Sequence, residues 1–223
     1  MTAEYEELSL RAANAIAAQL KAKPDSCLGL PSGNSPLGCY KILSKWTESG
    51  QIDWSHSRCF ALDDYLDAEE TKTFASFLHE NLYKHINLPL NQRFNPRFVD
   101  NYDALIAGAG GLDLTMIGIG RNGHIAFNEP GTLRDSWTHC VWLDETTRKQ
   151  NANFFGSVEQ VPKRAVTMGL ETIMSSRKLV LIVAGEHKRT MLKQAMSGVF
   201  TPEIPASCLK SHPSLDVLAD FPL

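Results

Sequence analysis

The sequence predicts an α/β fold in which helices cover both faces of a mostly parallel sheet. Apolar runs of about four to eight residues, the length typical of buried strands, alternate with stretches of helical periodicity. Such alternation is typical of parallel sheets, because a crossover must follow each strand before its parallel neighbour can begin. No repeat, low-complexity stretch or linker-like change of composition divides the 223 residues, so we expect a single domain over residues 1–223.

The first half of the chain is predicted to contain three helices and two strands. One face of the first helix carries apolar side chains four residues apart: Leu8, Ala12, Ile16 and Leu20. The next elements are a strand at 27–30, a helix at 37–46, a strand at 58–62 and a helix at 74–85. We expect Ser35 to cap the second helix and Pro36 to open it, because a serine hydroxyl accepts the free N–H groups of a first turn.

The second half is predicted to continue the alternation. The strongest apolar runs predict strands at 112–119 and 179–184, and shorter runs predict strands at 138–143 and 215–218. Gly185 precedes a predicted helix at 188–196, and Pro205 is placed to open a short helix.

The composition excludes several classes of function. A formal net charge of -3 gives no global basic field, so nucleic acid is not an expected partner. No apolar run approaches the roughly 20 residues of a membrane helix, so no membrane partner is expected. The N-terminus lacks the pattern of a signal peptide, which favours the cytoplasm. The five cysteines are scattered and form no CxxC pair, so neither disulfides nor a metal site is expected.

The loop Ser32-Gly33-Asn34-Ser35 is a candidate phosphate site. A strand, a small polar loop and a helix in succession present free backbone N–H groups to an anion, and the two serine hydroxyls add donors. The alternative is an ordinary turn between strand and helix. Lys188 lies at another predicted helix start, where its ammonium group would suit the same phosphate, although alone it is more simply a surface lysine.

Asp63 and Asp64 follow the strand predicted at 58–62. The carboxyl ends of strands face the ligand crevice of an open α/β sheet, so a carboxylate there is a candidate general base. Because neighbours on an extended chain point to opposite sides, we expect one of the two acids to be solvated. The alternative is that both are exposed loop acids.

The segment 118–131, GIGRNGHIAFNEPG, carries His124 and Glu129 on a glycine-rich loop after a strand. Histidine is suited to proton transfer near neutral pH, and a carboxylate within reach would orient its ring. The segment also matches GxGxxG, and Asp144 lies near the spacing of a ribose-binding acid, so a dinucleotide site is a competitor. That site needs a long helix at the third glycine, which the run 128–131 (Asn-Glu-Pro-Gly) would stop.

Five segments together resemble the glucosamine-6-phosphate deaminase family, within the larger group that includes the 6-phosphogluconolactonases. They are LGLPSGNSP around 32–35, ALDDYL at 61–66, GIGRNGHIAFNEPG at 118–131, VPKRAVTMG at 161–169 and PASCLKSHP at 205–213. They cover nearly the whole chain. The lactonases resemble 118–131 up to His124, whereas the continuation FNEP is similar to the deaminase branch. The resemblance implies a Rossmann-like sheet of the sugar-phosphate isomerase type.

The resemblance also implies an activity: glucosamine 6-phosphate is converted into fructose 6-phosphate and ammonia, without a cofactor or metal. On this pattern His124 assists opening of the sugar ring, Glu129 orients it, and Asn122 lies beside them. Asp63 matches the base that removes the C2 proton and returns a proton at C1. Four loop residues and one lysine match phosphate-binding positions: Ser32, Gly33, Asn34, Ser35 and Lys188.

Two positions depart from the family pattern. Many members have an aspartate in place of Asn122, and the deaminase pattern has a phosphate-binding arginine in place of Asn153. An asparagine makes hydrogen bonds but carries no charge, and losing a bidentate cation from a phosphate site costs about 1.5–3 kcal/mol unless it is replaced. The cations that would have to compensate are Arg121, Lys163 or Arg164.

Two other functions stay open at this point. The shared GxGxxGH core and phosphate loop suit a hydrolase of the 6-phosphogluconolactone type, in which Glu129 would be dispensable. Asn122 and Asn153 suit a sugar-phosphate sensor without catalysis. A mobile lid is plausible at about 146–163, because closure excludes water from proton transfer. The family includes larger allosteric assemblies, but the short C-terminal end favours a monomer or small homo-oligomer.

Overall fold

The computed structural model describes residues 2–222, and within them the strands form two sheets. The larger sheet contains six strands: β1 (Cys27–Leu30), β2 (Arg58–Ala61), β4 (Arg93–Phe94), β5 (Leu114–Gly118), β8 (Leu179–Val183) and β9 (Leu215–Ala219). The smaller sheet contains β3 (Asp63–Tyr65), β6 (His139–Trp142) and β7 (Arg164–Thr167). The order is β4-β2-β1-β5-β8-β9 in the larger sheet and β3-β7-β6 in the smaller one.

Every neighbouring pair in the larger sheet is parallel, which confirms the predicted fold class. Seven α-helices are formed by the described residues: α1 (Ala3–Ala22), α2 (Leu37–Glu48), α3 (Phe74–Asn81), α4 (Tyr102–Gly108), α5 (Glu145–Phe155), α6 (Leu170–Met174) and α7 (Arg189–Ser197). Helices α1, α2 and α3 pack on one face of the sheet, and α4, α6 and α7 pack on the other.

Strand β8 shows why the apolar runs do not alternate with polar residues. Leu181 and Val183 point into one hydrophobic cluster, and Val180 and Ile182 point into the cluster on the opposite face. All of β8 is buried, because helices cover both faces of the sheet. Burying one such side chain contributes about 1.5–3 kcal/mol to stability, so a continuous apolar strand is strongly favoured here.

Several predicted elements differ in detail from the structure. The strand at 138–143 exists as β6, but it belongs to the smaller, antiparallel sheet. Its partner β7 is an element that sequence periodicity missed. The helix predicted at 74–85 ends at Asn81 and is followed by a separate 3₁₀ turn, Tyr83–His85. The predicted Ser35 cap is wrong: Pro36 occupies the cap position of α2 and no side chain caps that helix.

The topology places a crevice between β1 and β5. The chain passes from β1 to β2 and β4 on one side, then returns to β5 and continues to β8 and β9 on the other. The connections leaving β1 and β5 therefore diverge at the carboxyl edge of the sheet, which is where open α/β sheets bind ligands. Over residues 2–222, no helix combines the length and the apolar character needed to cross a membrane.

Candidate active site

A cleft of about 240 Å³ lies at the carboxyl edge of the larger sheet. Its walls come from the segments that follow four parallel strands, with α5 contributing Gln150 and Asn151 from one side. The predicted site residues that line it are Ser32, Gly33, Asn34, Ser35, Asp63, His124 and Lys188. The fold thus brings together side chains that are up to 156 residues apart in the sequence, from Ser32 to Lys188.

The loop at 32–35 offers backbone donors to the cleft. Gly33 has φ of 99°, a conformation that side chains rarely adopt and that bends the loop around the cleft. Within the described chain, the N–H groups of residues 32–35 donate no hydrogen bond to protein acceptors. Free N–H groups at a cleft wall are suited to an anion such as a phosphate.

The same loop is held from behind by two tyrosines that sequence patterns did not indicate. The Tyr5 hydroxyl lies 3.1 Å from the carbonyl oxygen of Asn34 and 3.2 Å from that of Ser35, and it accepts the N–H of Gly38 at 3.0 Å. The Tyr40 hydroxyl donates to the carbonyl oxygen of Pro31 at 2.6 Å. These contacts engage carbonyl groups of the loop and leave its N–H groups free.

Lys188 lies across the cleft without a carboxylate partner among residues 2–222. Burial lowers its pKa from the usual lysine value, and the nearby positive charge of Arg121 lowers it further. A half-buried ammonium group beside a second cation is stabilised when an anion binds between or beside them. Lys188 and the loop at 32–35 therefore give the cleft groups that are suited to an anion.

Asp63 lies in the cleft wall and is 6% exposed. No donor from the described residues is hydrogen-bonded to its carboxyl group. Burial raises its pKa well above the usual aspartate value, and the neighbouring charge of Asp64 adds to the rise. A buried, unpartnered carboxylate with a raised pKa is a strong proton acceptor, which is the property of a general base.

The expectation that one of the two acids is solvated is wrong, because Asp64 is 0% exposed and Asp63 is also buried. Its carboxylate accepts the backbone N–H groups of Tyr65 at 2.8 Å, Phe74 at 2.7 Å and Ala75 at 2.9 Å, and the side-chain amide of Asn95 at 2.7 Å. The two acids do point to opposite sides of β3, but the N-terminus of α3 covers the second side. Burial raises the pKa of Asp64, and its four donors oppose that rise.

His124 and Glu129 are close together, as predicted. Glu129 Oε2 lies 3.6 Å from His124 Nδ1 and accepts the Asn122 amide at 3.0 Å, and the backbone N–H of Asp144 lies 3.4 Å from Oε1. Burial is the largest single influence on the pKa of Glu129 and would raise it, but the contact with His124, the nearby Thr147 hydroxyl and the Asn122 amide together hold the pKa below its usual value. Glu129 is therefore ionised beside the histidine, and Asn122 contributes a hydrogen bond to the carboxylate.

The glycine-rich loop positions the ring of His124. A side chain at Gly120 would lie 2.3 Å from two atoms of the imidazole ring, so only glycine leaves room for it. Asn128 closes the turn by donating its amide to the carbonyl oxygens of Ile125 at 2.9 Å and Met168 at 2.8 Å. The glycine at position 120 thus makes room for the ring of His124. After the loop the chain forms a turn, whereas a dinucleotide site would need a helix there.

Asn153 is exposed on α5 and does not line the cleft. Of the cations expected to compensate for it, Arg164 is engaged elsewhere, in a bidentate ion pair with Asp67 at 2.8 and 3.0 Å. Arg121 is near enough to Lys188 to affect its pKa. The groups in and beside the cleft that are suited to an anion are therefore the loop N–H groups, Lys188 and the nearby positive charge of Arg121.

Comparison with known proteins gives consistent matches over nearly the whole chain. A family model described as glucosamine-6-phosphate isomerases/6-phosphogluconolactonase matches residues 2–217. A protein named glucosamine-6-phosphate deaminase from Lachnoclostridium phytofermentans is 43% identical over 227 residues, covering 97% of this chain and 96% of the relative. A protein of the same name from a Geobacillus species is 40% identical, covering 98% of this chain and 91% of the relative.

Solved structures agree with these matches. A structure described as a monomeric glucosamine-6-phosphate deaminase superposes with a TM-score of 0.93 at 36% identity, covering 96% of this chain and 93% of that one. A 6-phosphogluconolactonase from Trypanosoma brucei superposes with a TM-score of 0.72 at 17% identity, covering 96% and 92%. The second match shows a shared fold only.

Proposed function

Because the chain belongs to the family of glucosamine-6-phosphate isomerases and 6-phosphogluconolactonases, we propose that it is a glucosamine-6-phosphate deaminase, as its relatives are named. The reaction converts glucosamine 6-phosphate and water into fructose 6-phosphate and ammonia. The single observation that carries the proposal is the shared cleft, in which Asp63 and His124 face the same space as the loop at 32–35, while Glu129 contacts His124 from outside the cleft lining. Chemically, the reaction needs a base at C2, an acid–base group at the ring oxygen and an anchor for phosphate.

Ring opening is the step assigned to His124. The substrate closes as a hemiacetal, so the O1 hydroxyl must lose a proton and the ring oxygen must gain one. His124 lines the cleft and can take the first proton and deliver it to the second oxygen, since a neutral imidazole carries one donor and one acceptor. The ionised Glu129 stabilises the ring while it is protonated.

Isomerisation and deamination are assigned to Asp63. The carboxylate removes the C2 proton of the open-chain aldehyde, and O1 gains a proton from the substrate's own ammonium group, which gives an enolamine. Asp63 then returns its proton to C1, which leaves a protonated imine at C2. Water adds to the imine, and ammonia leaves as the C2 ketone forms. The burial of Asp63 supports this role, because a carboxylate without hydrogen-bond donors is more basic than a solvated one.

Binding of the phosphate group is assigned to the loop at 32–35 and Lys188. Asn122 is assigned the role of orienting Glu129, to which its amide donates a hydrogen bond. The monomeric relative supports a monomer or a small homo-oligomer. A cytoplasmic location and a role in amino-sugar breakdown stay predictions.

An ammonia assay tests the proposed function. The purified protein is incubated with glucosamine 6-phosphate, and ammonia and fructose 6-phosphate are measured together, beside a parallel assay with 6-phosphogluconolactone. We expect ammonia from the first substrate and no acid release from the second. A folded sample that hydrolyses only the lactone would show the lactonase function, and tight binding of the amino sugar without turnover would show a sensor.

The Asp63→Asn variant tests the base. Proton transfer by a positioned side chain contributes about 10²–10⁴-fold to a rate, so we expect C2-proton exchange in deuterated water to fall by at least that lower factor. Substrate binding, measured by calorimetry, is expected to be retained. Asp67→Asn is the matched control, since Asp67 is an exposed acid paired with Arg164 outside the cleft. Exchange at the wild-type rate in Asp63→Asn would remove this residue from the role of base.

A further inference from the structure

Thr147 on α5 contacts the His124–Glu129 pair, and no sequence pattern drew attention to it. Its side chain is 0% exposed, and its hydroxyl oxygen lies 3.3 Å from His124 Nδ1. The same hydroxyl is near enough to Glu129 to help lower the pKa of its carboxyl group. A buried threonine hydroxyl therefore lies against both members of the pair.

Of the two contacts to His124 Nδ1, the one from Thr147 is the shorter. Glu129 Oε2 lies 3.6 Å from this nitrogen and the Thr147 hydroxyl oxygen lies 3.3 Å from it, which is nearer to the range of about 2.7–3.2 Å usual for N–H···O hydrogen bonds. A hydroxyl has one proton to donate and lone pairs to accept. Thr147 can therefore donate to the carboxylate of Glu129 while it accepts the Nδ1 proton of His124.

This arrangement has a consequence for the ring. In neutral imidazole one nitrogen carries the proton and the other accepts, and the hydrogen bonds decide which. With Nδ1 donating to Thr147, Nε2 is the nitrogen that has a lone pair available to the cleft. Nε2 is thereby placed to take the O1 proton of the substrate in the ring-opening step.

We infer that Thr147 is a positioning residue: its hydroxyl bridges Glu129 to His124 and holds the imidazole in the orientation and tautomer that ring opening requires. This inference rests on the proposed function for its kinetic meaning, but the bridge itself is a property of the free protein. Asn151, which lines the cleft, donates its side-chain amide to the Thr147 carbonyl oxygen at 2.9 Å, so α5 connects the cleft wall with the bridge.

Two substitutions at Thr147 separate bridging from packing. Thr147→Val keeps the shape and removes the hydroxyl, and Thr147→Ser keeps the hydroxyl and removes a methyl group. We expect kcat for ammonia release to fall about 10- to 100-fold in the valine variant, within the range of general acid–base catalysis. KM is expected to stay within about twofold, and the serine variant is expected to recover most of the wild-type kcat, because only the hydroxyl takes part.

A matched control is Thr115→Val. Thr115 is also fully buried and its hydroxyl is hydrogen-bonded, to Ser176 at 2.7 Å, but it lies in β5 away from the cleft lining. That variant is expected to lose stability and keep kcat. A valine variant at 147 with wild-type kcat, or a serine variant as impaired as the valine one, would overturn the inference.

The tautomer is measured without substrate, which separates this inference from the proposed function. Nitrogen-15 chemical shifts of the histidine rings report which nitrogen is protonated, and the His124→Asn spectrum identifies the signal among the seven histidines. We expect Nδ1–H in the wild type and in Thr147→Ser, and a mixed or reversed tautomer in Thr147→Val. Nε2–H in the wild type would overturn the bridge even if the protein releases ammonia. A wild type that releases no ammonia but shows the expected tautomers would overturn only the function.

Discussion

At the scale of single residues, the neighbouring acids Asp63 and Asp64 differ in the number of hydrogen bonds that their carboxylates accept. Both are buried, yet Asp64 accepts four hydrogen bonds and Asp63 accepts none from residues 2–222. A carboxylate surrounded by N–H groups is a structural anchor, and a carboxylate without them retains its basicity. Identical residue types side by side are therefore suited to different roles.

Gly120→Ala is a residue-scale test of the ring position. The new Cβ atom would meet the imidazole ring of His124 at 2.3 Å, so the ring must move. A shift of about 1 Å in a catalytic group costs about 10²-fold in rate, and we expect ammonia release to fall by at least tenfold. Steady-state kinetics and circular dichroism check this expectation. Gly108→Ala is the control, because a Cβ atom there meets nothing within 4 Å.

At the scale of elements, helix α1 supports the loop at 32–35 from outside the cleft. Tyr5 lies in its first turns and contacts the loop carbonyls of Asn34 and Ser35, while Gly38 at the start of α2 donates to the same hydroxyl. A Cβ atom at Gly38 would lie 2.2 Å from the Ser9 hydroxyl, so the close packing of the two helices also depends on this glycine. The loop is thus ordered by contacts between elements.

Tyr5→Phe tests this support. Removing the hydroxyl leaves Gly38 N–H and the loop carbonyls without their partner, and the loop must be ordered by the substrate instead. A lost hydrogen bond of about 1 kcal/mol corresponds to a rise in KM of about fivefold, with kcat nearly unchanged. Tyr83→Phe is the matched control, since its buried hydroxyl contacts no partner among the described residues. An unchanged KM in Tyr5→Phe would show that the loop is ordered without α1.

At the scale of the whole molecule, the structure carries a destabilising charge in its cleft. The pKa of Asp63 is raised on folding, so between its ordinary value near 3.8 and the raised value the folded state binds more protons than the unfolded state. Stability therefore falls as the pH rises through that window. Glu129 contributes a pH dependence of the opposite sign. Because its pKa is lowered on folding, it adds stability above about pH 4.5, and this stability is lost as the pH falls.

Asp63→Asn should for this reason stabilise the protein while it lowers the rate of C2-proton exchange. We expect a gain of about 1–2 kcal/mol at neutral pH, or roughly 2–8 °C in Tm for a chain of this size, shrinking towards pH 4. Thermal unfolding at several pH values measures it. Asp64→Asn is expected to go the other way by about 1–3 kcal/mol, because its amide would face the Ala75 N–H and the Asn95 amide. If Asp63→Asn were less stable than the wild type, the buried charge of Asp63 could not be a destabilising one.

The six-stranded sheet joins both ends of the chain, since α1 packs against β9. This packing supports the expectation of one domain over residues 1–223, which stays a prediction. The parallel order also explains why the sequence was informative at this scale. Buried parallel strands are continuous apolar runs, and the polar residues that interrupt the pattern at 32–35, 63 and 118–124 lie at strand ends, where open sheets bind ligands.

The sequence by itself determined the α/β class, the positions of the main strands along the chain, and Asp63, His124 and Glu129 as candidates, because burial and local chemistry are recorded in the pattern of residue types. Only the tertiary structure decided what depends on contacts across the chain. The smaller sheet pairs Asp63 with Thr167, 104 positions away, the start of α3 covers Asp64, and α5 brings Thr147 to the histidine. Such contacts join residues that are far apart in the sequence. No local pattern of residue types records them, because they form only when the whole chain has folded.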